Sequence, residues 1–199
     1  MTFGRTIIAL LLIVCPAPLL AAQIASDFET DADGWRHGNT TSDLTQQVEH
    51  VATRGYIQAD NGWYGGGFLA PEKYLGDKAA FIGGELSFQL ATEMTPSAGT
   101  LFPALTLVGM DGQSIFANWG PVPGPELTYF TVSLTADSFY KGSFEQRLSG
   151  VTEAEFASIM ANLDKLPINA DWDAGAIVRL DTVSMVSPSA VPEPASWAM

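Results

Sequence analysis

The chain has 199 residues, 47% of them hydrophobic, with 19 Gly, 12 Pro and a single Cys. Nine basic residues stand against 22 acidic ones, a formal net charge of −13, which is the wrong sign for holding a phosphate backbone and sets nucleic-acid binding aside. Only 16% of residues are charged, so this is no disordered acidic tail; the length suits one ordinary domain with short appendages, able to bury a core without staples.

The chain opens like a secretory leader. Arg5 carries the only charged side chain before Asp27. The apolar run from Ile7 to Val14 is too short for a bilayer span of about 20 residues. Pro16 and Pro18 break it, and Ala21-Ala22 offers a small-residue cleavage site before Gln23. Cys15 lies inside this leader and follows Val14, not the small residue that a lipid-modified cysteine would follow. Residues 1–22 are expected to be removed as a signal peptide, leaving a mature chain with no disulfide or thiol chemistry.

The next segment, DFETDADGW, is the sharpest chemical cluster. Glu29, Asp31 and Asp33 alternate and Gly34 follows, which matches the first half of a Ca²⁺ loop with hard oxygens at positions 1, 3 and 5. The second half fails, because Thr40 stands where a bidentate Glu is needed. Two readings stay open. One is an Asx-rich turn that caps a strand end. The other is a structural Ca²⁺ held by Glu29, Asp31 and Asp33 with a distant carboxylate, Asp181, since the first and last strands of a jelly roll often lie side by side. Further on, NGWYGGGF sets Trp63, Tyr64 and Phe68 around three glycines. Trp63 and Tyr64 are either core rings or an exposed platform that stacks on a sugar or a partner side chain.

Between residues 26 and 187 turn signals recur and polarity alternates. GELSFQLAT puts Leu86, Phe88 and Leu90 on one face, and YFTVSLT does the same with Phe130, Val132 and Leu134. FPALTLVGM is a more continuous apolar run that ends in a turn at Asp111-Gly112. VTEAEFASIMANLDKL reads as a helix over about 153–164. Thr152 is its N-cap and Glu155 completes a capping box. Phe156, Ile159, Met160 and Leu163 form its packing stripe, and Pro167 stops it. NADWDAG is a polar loop with a weaker set of oxygen donors, Asn169, Asp171 and Asp173. AIVRLDTVSMV is a strand with apolar residues on both parities: Ile177, Val183 and Met185 on one, Val178 and Leu180 on the other. Several strands and one short helix specify an all-β, jelly-roll-like β-sandwich over residues 23–187.

The tail from residue 188 to 199 is a Pro-rich linker. Its Val191-Pro192-Glu193-Pro194 resembles the start of a PEP-CTERM sorting signal of Gram-negative bacteria, which implies handling by an exosortase and display at the cell surface. That family's membrane helix and basic cluster do not follow in Ala195–Met199, so membrane attachment is expected only through such a missing segment.

No HExxH, GxSxG or phosphate-binding Gly-rich motif is present, and the two histidines, His37 and His50, have no zinc spacing. A polysaccharide hydrolase would need two carboxylates converging in a cleft. The expectation is a protein that is not an enzyme.

Residues 62–90, GWYGGGFLAPEKYLGDKAAFIGGELSFQL, resemble the laminin B (laminin type IV) domain. The shared features are Trp63-Tyr64, Ala70-Pro71, Tyr74-Leu75-Gly76 and the glycine before Glu85-Leu86-Ser87-Phe88. The likeness continues in order through LTLVGMDGQSI, the helix with Asn162-Leu163, and Leu180-Asp181-Thr182-Val183, which stands for the family's common Leu-Asp-Asn-Val. Asn169-Ala170 departs from a frequent Arg-Ala. The resemblance implies a jelly-roll-like fold and a non-catalytic module of an extracellular matrix or biofilm, binding a matrix protein or extracellular polysaccharide. A glycan-binding, lectin-like module is the alternative.

Overall fold

The computed structural model describes residues 21–39, 45–60, 66–93, 102–118, 120–143, 146–172 and 176–188. The leader (residues 1–20), Trp63, Tyr64, Trp119, Asp173 and the Val191–Pro194 motif lie outside the described residues.

In chain order the strands are β1 (Gln23–Ser26), β2 (Arg36–Asn39), β3 (Thr45–Gln47), β4 (Glu49–Val51), β5 (Tyr56–Asp60), β6 (Gly66–Leu69), β7 (Glu85–Thr92) and β8 (Thr106–Gly109). They continue as β9 (Ser114–Ala117), β10 (Thr128–Ser133), β11 (Phe139–Gly142), β12 (Arg147–Gly150), β13 (Leu163–Lys165), β14 (Pro167–Asn169) and β15 (Ile177–Val186), with one helix, α1 (Glu153–Ala161), before β13.

The fold is the expected β-sandwich, with a single α-helix among the described residues. Every pairing between these strands is antiparallel. A six-stranded sheet runs β10-β7-β15-β5-β4, and β1 joins it along β15. A five-stranded sheet, β12-β11-β9-β8-β13, and a four-stranded sheet, β14-β6-β2-β3, are linked by an isolated bridge between Leu105 and Ile168. The first strand does lie on the last, with Ser26 opposite Val183.

Alternation decides which side faces the core. Leu86, Phe88 and Leu90 of β7 are fully buried, while Glu85 is exposed. Phe88 lies opposite Phe130 of β10, and their rings stack at 5.3 Å between centroids. This is a cross-strand aromatic pair of the kind that fixes register. Gly84, just before β7, is required by close approach: a Cβ there would sit 2.0 Å from the Val186 carbonyl oxygen.

The two parities of β15 are reconciled by a bulge. Val178 and Leu180 point inward, and so do Val183 and Met185. The register slips between Asp181 and Ser184, and Thr182 takes a φ of +45°. One extra residue flips the strand, so both apolar sets reach the same core.

The capping box of α1 forms as read: Glu155 N–H donates to Thr152 Oγ1, and the Thr152 N–H donates to Glu155 Oε2 at 2.8 Å. The helix is shorter than expected. Asn162 leaves helical geometry at φ −141°, and Leu163 belongs to β13, opposite Gly109. Leu163 fits the helical spacing, yet its backbone N–H and C=O are taken by Gly76, which ends the helix before Pro167 can. Among the described residues no helix is long and apolar enough to cross a membrane.

Candidate functional site

The acidic opening loop is built as a set of local turns. The Glu29 N–H donates to Asp27 Oδ1 at 3.2 Å, and the Asp33 N–H donates to Asp31 Oδ1 at 2.6 Å. Asp33 also pairs with Lys73, whose ammonium donates to the Ala25 carbonyl. The loop is anchored by Trp35, which is 1% exposed. Its Nε1–H donates to Ser26 Oγ at 3.0 Å, Ser26 Oγ meets Tyr74 Oη at 3.1 Å, and Tyr74 donates to the Val183 carbonyl at 3.1 Å. The relay joins β1, the loop, the Tyr74 turn and β15, and burial pushes the Tyr74 phenol far above its ordinary range.

Of the four carboxylates read as Ca²⁺ ligands, the structure brings Glu29 and Asp181 near one corner. Burial raises the Asp181 pKa, two contacts with Thr182 oppose that rise, and the charges of Glu29 and Asp27 add to it. The Glu29 carboxylate lies over the turn after β4, where a Cβ on Gly55 would meet Oε1 at 2.8 Å. Asp31 and Asp33 are spent on the turn and on Lys73. Among the described residues no three His, Cys, Asp or Glu side chains converge where an ion could sit.

A different site has no motif behind it. The chain crosses from the four-stranded to the six-stranded sheet at Val48, between β3 and β4, which are the edge strands of their sheets. A cleft of about 240 Å³ opens beside this crossing. Its polar lining is His37, Gln46, Gln47, Glu49, Gln58 and Asp60; Ala59 and Ile177 supply apolar surface. Gln58 Nε2–H donates to Glu49 Oε2 at 2.8 Å across the β4–β5 pair, which orients both groups.

His37 is the exceptional member. It is 4% exposed, it packs edge-on to Phe68 at 6.1 Å, and its Nε2 has no hydrogen-bond partner. Burial lowers its pKa, and the Asp60 charge only partly offsets this. The imidazole is therefore neutral at pH 7. A buried nitrogen left unpaired costs about 1–3 kcal/mol.

The outward side of the six-stranded sheet continues the polar surface. Glu49, Gln58 and Arg179 lie in one cross-strand row, and Gln89 and Tyr129 form another pair. Arg179 bridges to Glu93 at 2.7 Å and lies over the Tyr56 ring, and Tyr129 is 59% exposed.

Residues 67–198 match the laminin B (domain IV) family, well over half of the chain. The chain belongs to that family. A laminin-like protein of Caenorhabditis elegans, lam-2, is 26% identical over 187 residues, which cover 89% of this chain but 11% of that protein. The laminin B module thus spans a small fraction of that relative's length. The L4b domain of human laminin alpha-2 superposes with a TM-score of 0.71 at 16% identity, covering 87% of this chain and all of that one. A xylan-binding module, CBM15, gives a TM-score of 0.49 at 14% identity over 86% of this chain and 99% of that one. The shared fold rests on the laminin L4b domain.

Proposed function

We propose that this laminin B module is exported and works outside the cell as a non-catalytic binding module, with an extracellular polysaccharide or a matrix protein as its partner. The observation that carries the reading is the polar surface around the β3–β4 crossing and the outward sheet face. It offers amide, carboxylate and tyrosine groups suited to holding a ligand. Export is supported by the leader-like residues 1–22. Surface display in a Gram-negative bacterium through an exosortase is supported by Val191-Pro192-Glu193-Pro194.

The test is direct. The full chain is expressed in a Gram-negative host, and its mature N-terminus is read by mass spectrometry, with Gln23 expected. The purified protein is then mixed with insoluble polysaccharides and with collagen-coated beads. Retention without release of reducing ends is expected. Steady release of reducing ends overturns the non-catalytic reading, and a chain that keeps its leader and stays in the cytoplasm overturns export.

A further inference from the structure

We propose that the cleft between β3, β4 and β5 is a saccharide site that takes an uncharged sugar unit of a polysaccharide. The proposal rests on the reading of this module as an extracellular binder and names the ligand class of its site. Three observations carry it.

The first is the donor and acceptor balance. Gln46, Gln47 and Gln58 each present both a carbonyl and an NH₂ group, and Glu49 and Asp60 present acceptors. A sugar hydroxyl both donates and accepts, so this lining suits it. The second is the sign of the charge. The lining holds two carboxylates and no Lys or Arg, so it repels phosphate, sulfate and uronate groups. Nor is it a cation site: Glu49 is held by Gln58, and no metal-holding trio exists among the described residues.

The third is His37. The residue lines the cleft, is more than nine-tenths buried, and its Nε2, buried beside the cleft, has no partner. A ligand hydroxyl supplies the missing hydrogen bond, and Ala59 and Ile177 offer contact to the C–H face of a ring. The volume, about 240 Å³, is below the roughly 300–1,000 Å³ of drug-sized pockets and fits a short stretch of sugar rather than a folded partner. Because both bordering strands are sheet edges, the rest of a polymer can run on past the cleft.

The experiment is isothermal titration of the full chain with xylohexaose, cellohexaose and agarohexaose, and with oligogalacturonate as the charged control. At least one neutral hexasaccharide is expected to bind and the oligogalacturonate to fail. Gln46→Ala and Gln58→Ala change surface-accessible side chains and should keep the wild-type Tm while weakening binding about tenfold each. His37→Phe keeps the packing on Phe68 and removes the unpaired nitrogen. It should hold or raise the Tm and still weaken binding. Affinity unchanged in all three variants overturns the cleft as the site while leaving the module reading intact. A lower Tm with unchanged affinity in His37→Phe identifies a structural imidazole and overturns its place in the site. No binding of any neutral hexasaccharide overturns the proposal; capture by collagen-coated beads in that case keeps the module reading for a protein partner, and no capture overturns both.

Discussion

The acidic opening loop and the amide-lined cleft make an instructive pair. The loop is rich in charge, yet most of its groups are already paired: Asp27 and Asp31 accept backbone N–H groups, and Asp33 holds Lys73. The cleft has fewer charges but keeps a buried imidazole nitrogen without a partner and a wall of amides. Capacity for a ligand follows from unmet hydrogen-bonding potential in a dry place, not from the density of acidic residues. The loop is tied to the first and last strands through Trp35, Ser26 and Tyr74.

The largest effect should come from breaking that closure. Trp35→Ala removes a fully buried ring, its edge-on contacts with Phe28 and Tyr74, and the hydrogen bond to Ser26. A loss of about 3–5 kcal/mol in urea unfolding is expected. A loss below about 1 kcal/mol would show that the loop is not what holds β1 on β15.

The two regions should also answer pH with opposite signs. His37 has a folded pKa below its unfolded value of 6.5, so the folded state binds fewer protons. The stability tied to this neutral ring is present above pH 6.5 and is lost as pH falls through the folded pKa. Asp181 has a folded pKa above its ordinary value of 3.8, so its contribution is present below that pH and lost as pH rises through the folded pKa. His37→Phe should flatten the fall in stability between pH 7 and 5, measured by thermal unfolding in a pH series. Asp181→Asn should raise the Tm modestly at pH 7, because it removes a charge that burial disfavours and that Glu29 and Asp27 repel. The rise should be the same with Ca²⁺ or with chelator. A fall on Asp181→Asn that appears only with Ca²⁺ would place an ion at that corner.

How much of this was legible in the sequence depends on how local each cause is. The faces of β7 and β10 follow from alternation, and the capping box follows from Thr152 and Glu155, three residues apart. The helix end did not, because Leu163 satisfies the helical stripe and the pairing with Gly109 equally well. The two apolar parities of β15 look contradictory until the bulge is seen. Glu29 and Asp181 were readable as neighbours because β1 lies on β15, whereas the partner of Asp33 comes from 40 residues away and left no mark. The cleft left none either. Gln46, Gln47, Gln58 and Asp60 form no motif, and they meet only because the chain changes sheets at Val48.

The smallest expected effect tests the corner that Asp181 shares with the bulge. Thr182 holds φ at +45°, a left-handed conformation that costs a β-branched residue roughly 1–2 kcal/mol. Asn visits this region far more readily, and the laminin B pattern commonly has Asn here. Thr182→Asn should therefore stabilise the fold by about 0.5–1 kcal/mol, a rise in Tm of roughly 1–4 °C. Against this stands the Thr182 hydroxyl, which donates to Asp181 Oδ1 at 3.0 Å. Thr182→Gly separates the two: it relieves the same strain, loses the hydroxyl, and adds the entropy cost of glycine. Asn above Gly and above wild type means that backbone strain decides the position. Wild type above both means that the hydroxyl on Asp181 outweighs the strain, and the acidic corner depends on neutral hydrogen bonding more than its charge suggests.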